Sequence, residues 1–503
     1  MNRRIGRSGA VGGVMKRHIG LSITLRLGYQ GLFTRVIPAA VRLAWLGFFL
    51  AFANTPVFAQ DSLPNDLAAK IDDIARDALA KSGVPSASIA VVRGGKLVYA
   101  KAYGDARLEP RTPATPAMRY SLGSISKEFT AAVILMLQQH GKLSLDDRVA
   151  KFFPELTDAD QITIRQLLSH TSGYQDFWPQ DYLFPMMKHP TTPALIMDTW
   201  GKKPLDFAPG TQWQYSNTNY TIAGAIVQKL TGEAPFEFLQ QHVFSELGIR
   251  DAFNSNLHAL PATDARGYSR HALGPLRPSQ KEGVNWVYGA GELAMTAGDL
   301  AKWDLAMIDN TLLQPASWRE METDVLLNDG LACGYGLGVF VGDMDGHRMI
   351  SHDGEVEGFT AGNYVFPDDQ MAVVVLTNQD AVGTSGVIAK SIARALFDVH
   401  DPAANEALAQ ARMIFVGLQH GRIDRSLFTA NANSYFDAIG LGDYQSSLGA
   451  LGEPQAFKIR AARKRGGMQM RAYSVVFPKM ELHIVTYALP DGKLEQYMVS
   501  SAD

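Results

Sequence analysis

A single cysteine, Cys333, stands among 503 residues, so no internal disulfide and no CxxC metal or redox pattern can exist. In its GLACGYG setting it reads as a small packed residue, not as a nucleophile. The 12 histidines include no HExxH, which removes the usual ligand pair of a zinc hydrolase. No G-x-S-x-G occurs, so the nucleophile elbow of an α/β-hydrolase is missing. The formal net charge is −3, and no basic run longer than the three residues Arg463, Lys464 and Arg465 follows the first 60 residues. A nucleic-acid binder would concentrate positive charge on one face, and that signature is absent. What remains is a globular composition, 46% hydrophobic and 19% charged. At this length a large domain plus a smaller one is expected.

The first 59 residues read as an export signal. Arginines and lysines from Arg3 to Arg42 supply positive charge, and no acidic residue precedes Asp61. The apolar stretch LAWLGFFLAFA, Leu43 to Ala53, is shorter than the roughly 20 residues a membrane-spanning helix needs. Val57 and Ala59 have the small-residue spacing of a signal-peptidase site, which puts the cut after Ala59. An uncleaved anchor is the alternative, and Met15 is an alternative start. The mature chain is expected to be periplasmic or secreted, with membrane contact only if the leader is retained.

Three regions follow. Residues 60–400 begin with a helical period that Gly83 closes and a β-hairpin around RGGK. A mostly helical middle follows, then strand signals in GYGLGVFV, HRMISHDG, FTAGNYVFPD and MAVVVLTN, and a last helix, SGVIAKSIARALFDV. Strands at both ends with helices between predict one antiparallel sheet flanked by helices, an α+β (α/β) arrangement beside a mostly helical subdomain. HDPAANEALAQ reads as a linker. Residues 410–503 read as a small accessory domain, mainly β or α+β, whose two hairpins turn at RGG and PDG.

The chemistry is concentrated in YSLGSISKEFTAAVILMLQQHGKL. Phe129, Ala132, Val133, Met136 and Leu137 follow a helical period, and Gly141 is placed to end the helix. Ser124 falls at the helix start, with Lys127 one turn later on the same face. A serine hydroxyl needs a base within hydrogen-bond reach to act as a nucleophile. Lysine can be that base if burial and the helix dipole destabilise its ammonium form. Alone, S-x-x-K fits an N-capping serine with a solvated lysine equally well. Likewise Tyr215 alone fits a core tyrosine, Asn217 a turn residue and His352 a structural histidine.

The order of the pieces separates these readings. ITIRQLLSHTSG, then Tyr215-Ser216-Asn217, GAGELAMTAGDLAKW, GYGLGVFV and SHDGEVEGF follow the S-x-x-K in turn. Over residues 70 to 395 the chain resembles the serine β-lactamase and penicillin-binding family, in its class-C-like branch of esterases, D-aminopeptidases and carboxypeptidases. The resemblance implies Ser124 as nucleophile, Lys127 as its base and Tyr215 as a proton shuttle. It implies Asn217 as a hydrogen-bond partner of the substrate's acyl-side amide. It puts His352 and Gly354 where relatives carry K-T-G, and makes the N–H groups of Ser124 and Glu355 an oxyanion hole. His170 is taken as a turn residue near the site. Gly354 is expected to leave room for substrate, and His352 to titrate near its ordinary pKa of about 6.5. Loops 174–205 and 254–285 are expected to shape the pocket.

The function expected is a hydrolase of esters or amides, D-amino-acid peptides and β-lactam-like bonds included, without metal or cofactor. The alternative is a penicillin-binding-fold sensor with little turnover. The partner is a small molecule or peptide, cell-wall fragments among the candidates.

Overall fold

The computed structural model describes residues 63–398 and 403–501. Residues 1–59, which the sequence reads as an export signal, lie outside the described residues. Helix α1 (Asn65–Ser82) leads into the hairpin β1 (Ser86–Arg93) and β2 (Lys96–Leu108), followed by a short edge strand, β3 (Arg111–Pro113). The helical middle contains α2 (Ser126–Gln139), α3 (Asn217–Thr231) and α4 (Ala297–Ile308). Four strands then return: β4 (Phe340–Met344), β5 (His347–Val356), β6 (Phe359–Phe366) and β7 (Met371–Thr377), closed by α5 (Thr384–Asp398).

These strands form one seven-stranded sheet in the order β3-β2-β1-β7-β6-β5-β4. The two ends of the region meet where β1 pairs antiparallel with β7, from Ala87 opposite Thr377 to Arg93 opposite Met371. Alternation along the strands splits the core in two, because successive side chains leave opposite faces. Ile89, Val91, Val373 and Val375 pack with Ile71 of α1 and Ile388 and Ile392 of α5. Ala90, Val92, Val374 and Leu376 join the larger core under α2 and α4, which holds Phe129, Val133 and Trp303. The catalytic candidates sit on that second side.

Two expected elements differ. In GYGLGVFV only Phe340 and Val341 belong to a strand, because Gly334 and Gly338 take left-handed φ values of 77° and 81° that break the extended run. The HDPAANEALAQ segment is helical from Ala404, as α6 (Ala404–Gln419). Beyond it lie α7 (Ala438–Leu448) and a four-stranded antiparallel sheet of β8 (Ala456–Arg465), β9 (Met468–Phe477), β10 (Met480–Ala488) and β11 (Leu494–Ser501). Phe415, Leu418, Phe436, Val475, Ile484 and Tyr497 form a hydrophobic cluster within this region. Among the described residues no helix is long and apolar enough to cross a membrane.

Candidate active site

Ser124 lies in a single 3-10 turn, Gly123–Ile125, that runs straight into α2. The turn is pressed onto β5. A Cβ at Gly354 would sit 1.9 Å from the Leu122 carbonyl oxygen, and a Cβ at Gly123 would sit 2.7 Å from the Glu355 nitrogen. Gly354 therefore makes room for the backbone that carries Ser124, a close approach not foreseen from sequence, and it also lines the cavity described below.

Lys127 is fully buried, and its Nζ lies 2.9 Å from each of three oxygens: Ser124 Oγ, Asn217 Oδ1 and the Ala290 carbonyl. Burial drives its pKa down to about 7, opposed by the Asp176 carboxylate. The neutral amine has two N–H groups and one lone pair. The Asn217 and Ala290 oxygens can only accept, so they take the two N–H groups. Ser124 is the one partner able to donate, and it receives the lone pair. An amine held this way can take the serine proton.

Asn217 opens α3, and Asp176 orients it. The Asp176 carboxylate accepts from Asn217 N (2.9 Å) and Nδ2 (3.2 Å), which leaves Oδ1 turned to Lys127. Asn217 is thus committed to Lys127 and Asp176, with one Nδ2 hydrogen left over for any substrate.

Tyr215 precedes that helix start, with its ring centroid 4.8 Å from Lys127 Nζ. Its hydroxyl is buried and has no regular hydrogen-bond partner. Burial raises its pKa well above the usual tyrosine range, while proximity to Ser124 works the other way. It is a phenol at neutral pH, able to relay a proton but not to hold a negative charge.

His170 fixes this segment from behind. Its carbonyl accepts from Gln214 N (3.0 Å) and its Nδ1 from Ser216 N (3.1 Å), so one residue grips the chain on both sides of Tyr215. Its ring lies 4.3 Å from the Tyr215 ring, centroid to centroid, and its φ of 59° bends the chain to allow both bonds. The turn role expected for His170 is what its contacts provide. Burial holds its pKa well below the ordinary value.

His352 differs from expectation. It is buried, its Nδ1 donates to the Asp353 carbonyl (2.6 Å), and its Nε2 accepts from the Tyr335 hydroxyl (2.8 Å). Burial, then the nearby Lys127, lowers its pKa to about 3. It stays neutral at physiological pH, and both ring nitrogens are engaged.

Glu355 sits at a position of β5 whose N–H is not used in pairing with β6. The β5–β6 turn has two residues, Glu357 and Gly358, with Val356 opposite Phe359. In such a hairpin Val356–Phe359 is a hydrogen-bonded pair, so Glu355–Thr360 is a non-hydrogen-bonded one. The Glu355 N–H then points away from β6, on the side where its nitrogen would lie 2.7 Å from a Cβ at Gly123.

Ser124, Tyr215, Asn217, His352, Gly354 and Glu355 all line one cavity of about 1050 Å³. Phe177, Trp178, Trp286 and Phe340 supply apolar wall. Loop 174–205 contributes residues 176–181 to it, whereas loop 254–285 lines a separate cavity of about 340 Å³. Sequence reasoning passed over Asp176, Ala290 and Tyr335. Among the described residues no group of three or more metal-ligating side chains could hold a metal ion.

An antiparallel sheet with a helical insert, and a lysine-paired serine at the start of a helix between them, define the β-lactamase/transpeptidase-like fold. A family model described as Beta-lactamase matches residues 71–396, and the chain belongs to that family. It is similar to the protein flp of Staphylococcus aureus (strain MW2), 28% identical over 63% of this chain and 64% of that protein. It is also similar to the D-aminopeptidase of Brucella anthropi, 26% identical over 61% of this chain and 58% of that protein. The chain thus spans about three fifths of the length of these relatives. Among solved structures, the D-amino acid amidase of Ochrobactrum anthropi SV3 superposes with a TM-score of 0.60 at 24% identity, covering 67% of this chain and all of that one. A penicillin-binding protein homologue from Pyrococcus abyssi superposes at 0.58 with 22% identity, over 86% of this chain and 99% of that one. These two likenesses concern the fold alone.

Proposed function

We propose that the protein is an exported serine hydrolase, periplasmic or secreted, that cleaves an ester or amide bond through a covalent acyl-enzyme on Ser124. The observation that carries this reading is the set of three oxygens around Lys127 Nζ, of which only Ser124 can donate a proton. Lys127 takes the Ser124 proton as Oγ adds to the substrate carbonyl, and the resulting oxyanion lies against the N–H groups of Ser124 and Glu355. Donors of this kind contribute about 3–4 kcal/mol each at the transition state. The proton moves from Lys127 by way of the Tyr215 hydroxyl to the leaving group, and the acyl-enzyme forms as that group departs. Water returns along the same path to release the acid and restore the Ser124 hydroxyl. The D-aminopeptidase among the relatives supports an amide or ester of an amino acid as the substrate class. Residues 410–503 are read as an accessory domain.

The test is labelling of the purified chain with a fluorophosphonate or fluorescent penicillin, beside turnover of p-nitrophenyl esters, nitrocefin and D-amino-acid amides. Labelling at Ser124 followed by turnover is expected, and Ser124→Ala should abolish both. Stable labelling without turnover would make the protein a sensor, and unchanged hydrolysis by Ser124→Ala would place the nucleophile elsewhere.

A further inference from the structure

We propose that Asp176 is a positioning residue of this site: its carboxylate locks the Asn217 amide in one orientation and thereby aims the Lys127 lone pair at Ser124. The inference rests on the reading of Ser124 as nucleophile and Lys127 as base.

An asparagine amide can flip by a half-turn and exchange its oxygen and nitrogen. With Oδ1 towards Lys127, Asn217 accepts an N–H and leaves the amine lone pair free for Ser124. Flipped, it would offer Nδ2–H instead, and the lone pair would turn to that donor and away from the serine. Asp176 makes the flip unfavourable. Its Oδ1 accepts from Asn217 N at 2.9 Å, Asn217 Nδ2 at 3.2 Å and Trp178 N at 3.1 Å, and its Oδ2 lies 3.4 Å from Asn217 Nδ2. A carboxylate has no proton to donate, so a flipped Asn217 would set oxygen against oxygen in a half-buried place. The Trp178 bond also ties Asp176 into its own loop, so the lock belongs to the cavity wall.

The charge of Asp176 acts on the same lysine. The titratable groups around Lys127 come from four elements: Glu128 on α2, Tyr215 and Tyr220 at the start of α3, His170 on its turn and His352 on β5. Burial raises both tyrosines, lowers both histidines and lifts Glu128 to about 8, so all five are neutral near pH 7. Asp176 is the carboxylate left facing Lys127. Burial raises its pKa, and the hydrogen bonds from Trp178 and Asn217 and the nearby Lys127 work to keep it ionised. Its charge opposes the effect of burial on Lys127. Removing it makes the amine lose its proton at lower pH.

Two variants separate the roles, each assayed as the full chain with p-nitrophenyl acetate. Asp176→Asn keeps an oxygen for Asn217 N and Trp178 N and removes the charge. Its kcat should fall less than about 10-fold, while the acid limb of kcat/KM moves down by roughly one pH unit. Asp176→Ala removes the lock, and kcat should fall by about 10–100-fold with KM nearly unchanged. If the alanine variant fails to fold, the acid limb of the near-isosteric asparagine variant decides. Wild-type kcat and an unmoved acid limb in both folded variants, beside an inactive Ser124→Ala, would overturn the role of Asp176 alone. Activity retained by Ser124→Ala would overturn the underlying reading and this role with it.

Discussion

Gly354 and Leu122 approach so closely that a Cβ on the glycine would lie 1.9 Å from the Leu122 carbonyl oxygen. The contact joins sheet to helix at the point where Ser124 is presented. Backbone cannot yield as a flexible side chain can, so Gly354→Ala must push the Gly123–Ile125 turn off β5. That displacement separates Ser124 Oγ from the Glu355 N–H. A misplacement of about 1 Å can cost around 10²-fold in rate, and kcat should fall by at least that much. Steady-state kinetics with circular dichroism melting checks it, and a wild-type kcat would mean the turn tolerates the shift.

The Lys127 base must be neutral to accept a proton. With its pKa lowered to about 7 by burial, kcat/KM for a neutral ester should rise with pH through about 7 and level off above. Replacing Lys127 by Met should cost about 10²–10⁴-fold and remove that limb from the residual rate. A profile flat from pH 5 to 9 would show that no group titrating there serves as the base.

Tyr215→Phe removes a hydroxyl that has no regular hydrogen-bond partner. The fold should lose little, since no regular hydrogen bond is broken and the hydroxyl's neighbour is Ser124. Catalysis should fall about 10²–10⁴-fold if the hydroxyl relays the proton. Melting curves beside kcat make the contrast: equal losses in both would return Tyr215 to a packing role.

Much of this was legible in the sequence where chemistry and periodicity coincide. The helical period from Phe129 to Leu137 puts Ser124 and Lys127 at a helix start, and the strand signals at the two ends of the region predict one antiparallel sheet, though not which strands are neighbours in it. The site residues that escaped share a physical reason. Ala290 contributes a carbonyl, which every residue has. Asp176 lies in an irregular loop, where no period marks which carboxylate turns inward. Tyr335 reaches His352 from a glycine-rich stretch that looked like strand. The low pKa of His352 is not legible either, because it follows from a burial that no local pattern reveals.

Glu128 and Asp304 are buried together and share the Asn363 amide, whose Nδ2 lies 2.9 Å from Asp304 Oδ1 and 3.3 Å from both oxygens of Glu128. Burial raises both pKa values to about 8. A carboxyl raised in this way contributes stability that is fully present below its unfolded pKa of about 4 and is lost as pH climbs through about 8. Thermal stability of the wild type should therefore decline from pH 6 to pH 9. Asp304→Asn should decline less, because the amide has no proton to lose. Parallel melting curves for the two proteins across this range would contradict the assignment.

The last prediction concerns substrate charge. Asp176, Asp181, Asp353, Glu355, Glu357 and Asp380 line the cavity, with Lys390 as the cation among its lining residues. His352, neutral and engaged at both ring nitrogens, adds no positive charge to this wall. A substrate carboxylate is therefore repelled at neutral pH, and neutral or amine-bearing esters and amides should be hydrolysed with higher kcat/KM than nitrocefin or peptides with a free C-terminus. No inflection from His352 should appear between pH 5 and 8. Glu357 titrates there instead, its pKa raised to about 7 by burial and by Asp380. Below that pH it becomes neutral, so the ratio of carboxylate-bearing to neutral substrate turnover should rise as pH falls through about 7. Taking the ratio cancels the common dependence on Lys127. Glu357→Gln should raise the ratio at pH 8 and flatten its pH dependence. His352→Lys, by contrast, buries an ammonium near Lys127 with neither ring partner replaced, and should lower stability without creating a carboxylate site. Faster nitrocefin than neutral-ester hydrolysis by the wild type at pH 8 would refute this account of the cavity.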